Sequence, residues 1–246
     1  MIVVFFRGIF SYVEAFAFIL KAGLGRYFLY SGLIGLGILA VFGGIAYTSF
    51  GPLGSWILSW IPWDLEISPT LGSWVSFVLS SVLFFAIFKY LVLIFTAPIM
   101  SALSAKVEAE IDPYNARIES GSIISEISRG VKVSIRNVIR ELSLTVLLLI
   151  FGLIPVLTAV SGPLILLVQS YFAGFGNLDL WAERHLSYRD TLGFMSENKA
   201  MCMGNGIVFI FLLAIPIIGV FIAPPLATIA GTLQAHRHFE ANYVEQ

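Results

Sequence analysis

Residues 142–178 run for 37 positions without one Asp, Glu, Lys or Arg. No other feature limits the fold as much. One helical crossing of a bilayer needs about 20 apolar residues, and two crossings need about 40 plus a turn. The stretch is also broken near its middle, first by Pro155 and then by Ser161, Gly162 and Pro163. Proline lacks an N–H and clashes with the turn before it, so helices stop or kink there. Arg136 and Arg140 precede the stretch, and Arg184 and Arg189 follow it. An apolar segment that is broken centrally and basic on both flanks reads as a helical hairpin returning to the side it left. Residues 200–235 repeat the design, with 36 uncharged positions broken by Pro216, Gly219, Pro224 and Pro225. Broken helices of this kind direct backbone dipoles into a membrane, which suits the passage or holding of a polar solute.

Composition agrees with that constraint. Charged residues make up 12% of the chain, about half the share of a soluble domain. Hydrophobic residues make up 58%, and mean hydropathy is +0.92. The reading is an all-α integral membrane protein, one membrane domain over residues 1–246. A net charge of −1 implies no nucleic-acid partner. The single cysteine, Cys202, cannot form an intrachain disulfide and reads as a small packing residue. Glu14 interrupts the first apolar run and no small-residue cleavage site follows, so a cleavable leader is not expected.

Residues 1–22 place Arg7, Ser11, Glu14 and Lys21 at helical spacing. They predict an amphipathic helix in the interface or against the bundle, with a full span as the competing assignment because Arg7 and Glu14 are costly at mid-bilayer. Gly23, Leu24, Gly25 and Arg26 break that helix. Residues 27–49 and 71–95 read as two long transmembrane helices. In the first, the spacings Ser31/Gly35 and Ala40/Gly44 allow another helix to come close. Residues 50–70 read as a loop rich in Gly, Pro and Trp. Lys89 is expected to snorkel to the interface. Residues 96–141 form a polar belt: one helix over 101–111, a stop at Asp112 and Pro113, then a second helix running into the first hairpin. On that second helix Ile127, Val131, Ile135 and Ile139 make an apolar stripe, with Arg129, Lys132, Arg136 and Arg140 largely opposite.

None of the 14 basic residues lies in 50–70, so the positive-inside rule places that loop outside and the other connections in the cytoplasm. Two spans with two returning hairpins satisfy this count, and so do six full spans; the hairpin lengths favour the former.

No catalytic set is present. His185, His236 and His238 lack zinc-site spacing, and a metal contact by the last two is weaker than a solvated tail as an explanation. There is no phosphate-binding loop and no nucleophile elbow, so neither an enzyme nor a cofactor is expected. The sharper candidate is the junction Gly23, Leu24, Gly25 and Arg26. Its plain role is a bend between two helices. Its functional role would use backbone N–H groups at a helix start, where the macrodipole is positive, and the planar guanidinium of Arg26. That set suits a tetrahedral oxyanion. Arg129, Lys132, Arg136 and Arg140 are a possible basic entrance for anions, or a solvated face near anionic headgroups. Asn177, Asp179, Glu183 and Arg184 are expected to tie the connection between hairpins.

Three segments carry a resemblance. They are the junction Gly23–Arg26, the run from Ala97 and Pro98 to Glu108, and the block from Leu186 to Thr191 leading to Ile215, Pro216 and Ala223 to Ala227. In these the chain resembles the CysZ-like sulfate permease family, related to etoposide-induced membrane proteins. The resemblance implies a bacterial inner-membrane protein with two long spans and two partly inserted hairpins, homo-oligomeric, passing sulfate inward for cysteine synthesis. It also implies that Gly23, Leu24, Gly25 and Arg26 bind sulfate, with Gly25 standing where members often carry a basic residue. A non-transporting membrane scaffold or assembly factor is the alternative.

Overall fold

A computed structural model describes residues 2–59, 69–114, 123–152, 155–215 and 217–241. Among the described residues eight helices follow in order: α1 (Ile2–Ala22), α2 (Gly25–Ser59), α3 (Pro69–Ile111), α4 (Ile123–Gly152), α5 (Pro155–His185), α6 (Tyr188–Glu197), α7 (Lys199–Leu213) and α8 (Ile218–Phe239). No strand occurs among the described residues. Among the described residues, five segments are long and apolar enough to cross a membrane: α1, Gly25–Ile45 of α2, Ser80–Ile111 of α3, Ala159–His185 of α5, and α8. The chain is a multi-pass, all-α membrane protein.

Both broken stretches fold back on themselves, α4 against α5 and α7 against α8. In the first, α4 ends at Gly152 and Pro155 opens α5; proline suits a first helical position, where its missing N–H has no intrahelical role. The expected second break at Ser161, Gly162 and Pro163 does not occur, because α5 runs straight through Pro163. Neighbouring helices can satisfy the backbone group that a membrane proline frees. In the second hairpin the chain leaves the helix after Ala214, and Ile217 takes φ 65°, a costly region for a β-branched residue. Pro216 lies outside the described residues. Pro224 and Pro225, expected to break the helix, sit inside α8.

The two hairpins meet through α5 and α7, the most intimate pair in the fold. A Cβ on Gly206 would fall 1.8 Å from the Ser170 carbonyl oxygen, and one on Gly174 would fall 1.8 Å from that of Cys202. Lipid supplies no hydrophobic drive between helices, so close backbone approach at small residues does the packing. Cys202 is fully buried at this seam, as a packing residue.

Three further expectations change. Residues 51–59, read as loop, extend α2; residues 60–68 lie outside the described residues. The helix of the belt is not separate, since α3 continues through Pro98 to Ile111 as one element of 43 residues. At 1.5 Å per residue it is roughly 65 Å long, about twice the hydrocarbon core. Its end at Asp112 and Pro113 is as read. The spacing Ser31/Gly35 admits another helix, as read: the Ser31 hydroxyl donates to the Val220 carbonyl at 2.8 Å, and Gly35 sits against the Val220 side chain on α8. Finally, on α1 Ser11 turns inward and donates to the Gly8 carbonyl, leaving Arg7, Glu14 and Lys21 exposed. Glu14 is compensated, because Arg237 of α8 pairs with it.

A candidate anion site and a buried charge network

The α1–α2 junction combines one buried residue with exposed neighbours. Gly23 has φ 63°, a conformation that glycine adopts without strain and that turns the chain out of α1. Leu24 follows with 1% exposure and anchors the turn in the core. Gly25 and Arg26 open α2 on the surface. The first N–H groups of a helix have no intrahelical carbonyl to bond. The Tyr27 N–H does find the Leu24 carbonyl, at 3.2 Å. The Arg26 guanidinium lies over the Tyr27 ring, 5.3 Å from its centroid, and forms no ion pair among the described residues. A cation at the positive end of a helix dipole is disfavoured until an anion joins it. The four residues singled out from sequence are contiguous at this turn, and the Leu24 side chain points inside.

The basic row is also together, on α4. Lys132 and Arg140 are exposed and Arg136 is half-buried; the Arg129 side chain is outside the described residues. Arg136 donates to the Asn137 side-chain oxygen at 3.0 Å and lies over the Phe175 ring. Burial, and then the like charge of Arg140, push the Arg136 guanidinium below its ordinary value. Lys132 lies over the Tyr188 ring of α6. The apolar stripe of this helix points outward, not into the bundle: Ile135 and Ile139 are exposed, while Val133, Asn137 and Glu141 are buried. A membrane inverts the usual preference, because lipid accepts an apolar face and leaves the polar one to pair inside.

Sequence reasoning missed two buried ionic clusters. Lys89, expected to snorkel, is fully buried and reaches both oxygens of Glu141 at 2.6 Å, with the Tyr90 hydroxyl donating to the same carboxylate at 2.7 Å. The pair bolts α3 to α4. The second cluster joins α3 to α5. The Arg184 guanidinium donates to Glu108 from Nε at 3.3 Å and from one terminal nitrogen at 3.0 Å. The same nitrogen reaches Ser104 at 2.8 Å, and the other reaches the Leu180 and Ser101 carbonyls. All five of its N–H groups are engaged. His185 Nε2 meets the second Glu108 oxygen at 2.5 Å, and Ser104 bonds Thr232 of α8. A signal existed: Ser101, Ser104 and Glu108 share one face of α3 at helical spacing. Of the ties expected at the hairpin connection, Asn177 joins the two hairpins by donating to Asn205 of α7 at 2.9 Å, whereas Glu183 and Arg184 hold α3 instead, Glu183 accepting from Ser101.

A cavity of about 390 Å³ opens among α3, α4, α5 and α8. Ser101, Ser134, Asn137, Asn177, Arg184 and Thr228 are among its lining. Lys132, Arg136 and Arg140 are not on its described wall.

The fold is that of a multi-pass helical membrane protein, with an exposed cation at a helix start and a largely apolar cavity between its helices. The particular family follows from comparison. Residues 11–224 match the family described as Sulfate transporter CysZ/Etoposide-induced protein 2.4, and the chain belongs to that family. A protein of Vibrio cholerae named Sulfate transporter CysZ is 27% identical over 192 residues, covering 74% of this chain and 75% of its own. One of Pseudomonas fluorescens with the same name is 28% identical over 151 residues, 58% of each chain.

Proposed function

We propose that this chain is a sulfate channel or permease of the bacterial inner membrane, supplying sulfate for cysteine synthesis, with residues 1–246 acting as one membrane domain. One observation carries the reading: Arg26 stands at the start of α2, beside open N–H groups and without a carboxylate among the described residues. An oxyanion there gains from the dipole, the amides and the guanidinium together. The names of the relatives supply sulfate as the candidate. The saturated Arg184 supports the same choice by elimination, since its donors are already engaged. Gly23 and Gly25 would let the backbone approach the anion, and Arg26 would hold it. Passage needs no catalytic group of the chain, which fits the lack of a catalytic set in the sequence. Homo-oligomers, at least dimers, would cover the polar backbone at the hairpin tips.

The test is uptake of radiolabelled sulfate into proteoliposomes containing the purified chain. Sulfate should enter down its gradient, and Arg26→Ala should reduce the flux while the protein inserts normally. Flux equal to that of empty liposomes would overturn the transport reading and favour a scaffold.

A further inference from the structure

On α4 three rows lie side by side. Val131, Ile135, Ile139, Val146 and Ile150 form an exposed apolar row, and Val133, Asn137, Glu141 and Thr145 form the buried one. Lys132, Arg136 and Arg140, four residues apart, fall between them on the helical wheel, at the seam where α4 meets α5 and α6. Their neighbours across that seam are aromatic: Tyr188 beneath Lys132 and Phe175 beneath Arg136. None of the three enters an ion pair among the described residues, and Arg136 has one side-chain acceptor, a neutral amide. Three cations within about two turns, two of them repelling each other, have no carboxylate partner among the described residues.

We propose that this seam binds the phosphate of an anionic phospholipid, with Lys132, Arg136 and Arg140 around the headgroup and the exposed apolar row of α4 along the acyl chain. The chemistry of the cations alone fits any tetrahedral oxyanion. The apolar row decides for lipid, because Ile139, Val146 and Ile150 run on from the cations into the hairpin and a free anion makes no use of them. Ring faces on the inner side leave the cationic heads desolvated toward the protein and open toward the bilayer, the arrangement in which basic residues hold anionic lipid. The inference is independent of whether the chain passes sulfate.

The experiment uses the full chain, purified in mild detergent. Native mass spectrometry would follow retention of phosphatidylglycerol against phosphatidylcholine, with sodium sulfate as a separate addition. Phosphatidylglycerol should be retained preferentially. Apparent affinity should fall about fivefold for each charge removed, of order a hundredfold in the K132Q/R136Q/R140Q variant. R136K/R140K keeps the charge and should keep most of the affinity. Should the triple variant fail to fold, Arg140→Gln alone, at an exposed position, should show the fivefold loss. Equal retention of both lipids, or phosphatidylglycerol binding unchanged in the variants, would overturn the proposal. Displacement of phosphatidylglycerol by millimolar sulfate, itself sensitive to the same substitutions, would also overturn it and make the row a station for free anions.

Discussion

Arg26 and Arg184 occupy mirror positions and are used in opposite ways. Arg26 is the second residue of α2, and Arg184 is the second-last residue of α5. At the C-terminal end of a helix a guanidinium is favoured by the dipole, and Arg184 adds Glu108, Ser104 and two carbonyls to that. It has nothing left to offer a ligand. At the N-terminal end the dipole opposes the charge, and Arg26 lies over the Tyr27 ring with no ion pair among the described residues. An arginine's worth to an anion is set by the donors it has free, not by its charge. Burial gives the same contrast: one side chain holds two helices together, and the other stands in the open.

Removing the Glu108 carboxylate gives the largest effect and tests the structural half of that contrast. Glu108→Gln leaves Arg184 buried without its counter-charge, and breaking such a pair costs about 3–5 kcal/mol. The variant should lose its folded fraction at markedly lower temperature in detergent. Replacing both partners, Glu108→Leu with Arg184→Leu, should recover much of the loss, because a buried pair contributes little net stability over well-packed apolar groups. A single variant as stable as the parent would break the comparison.

The ligand half predicts the reverse pattern. Arg26→Ala should leave thermal stability unchanged and weaken sulfate binding by about 1.5–3 kcal/mol, the worth of a hydrogen bond to a charged group. That is roughly a 10- to 150-fold rise in Kd, read by calorimetry on the purified chain. Arg26→Lys should recover part of it, since an ammonium cannot present a two-pronged fork. Gly25→Val should weaken binding without removing charge, through the backbone that presents the N–H groups. Unchanged binding in Arg26→Ala would move the site away from the junction.

The smallest effect concerns how α2 is held in place. Ser31→Ala removes the hydroxyl that meets the Val220 carbonyl. It should destabilise the chain by about 0.5–1.5 kcal/mol, seen as a small drop in unfolding midpoint, with sulfate affinity preserved. A large loss of affinity would tie the junction mechanically to α8.

Much of the architecture could be read from the chain alone, because a bilayer removes choices. Every backbone polar group must be satisfied within its own segment, so an uncharged run of 37 residues is helical, and a proline near its middle ends a helix. The hairpins, the two long spans, the stop at Asp112 and the bend at Gly23 all follow from spacing and turn chemistry. Not every proline broke its helix. Pro155 opens α5, but Pro98 and Pro163 are carried inside helices, since their fate depends on which neighbours satisfy the freed carbonyl.

The polar side chains divide along the same line. The junction Gly23–Arg26 is contiguous, so its residues are together in any fold that bends there. Lys89 finds Glu141 across 52 residues, and Arg184 finds Glu108 across 76. Nothing local in the sequence pairs them. Read alone, Lys89 belongs at the interface and Glu141 at a solvated face. Only the packing of α3 on α4 and α5 makes them obligatory partners, because a lone charge cannot stay buried in a low-dielectric interior. The outward turn of Ile135 and Ile139 has the same origin. Sequence determined that α4 has an apolar face and a polar one. Tertiary structure decided which face the bundle keeps, because the bundle holds the partners for Glu141 and lipid accepts the isoleucines.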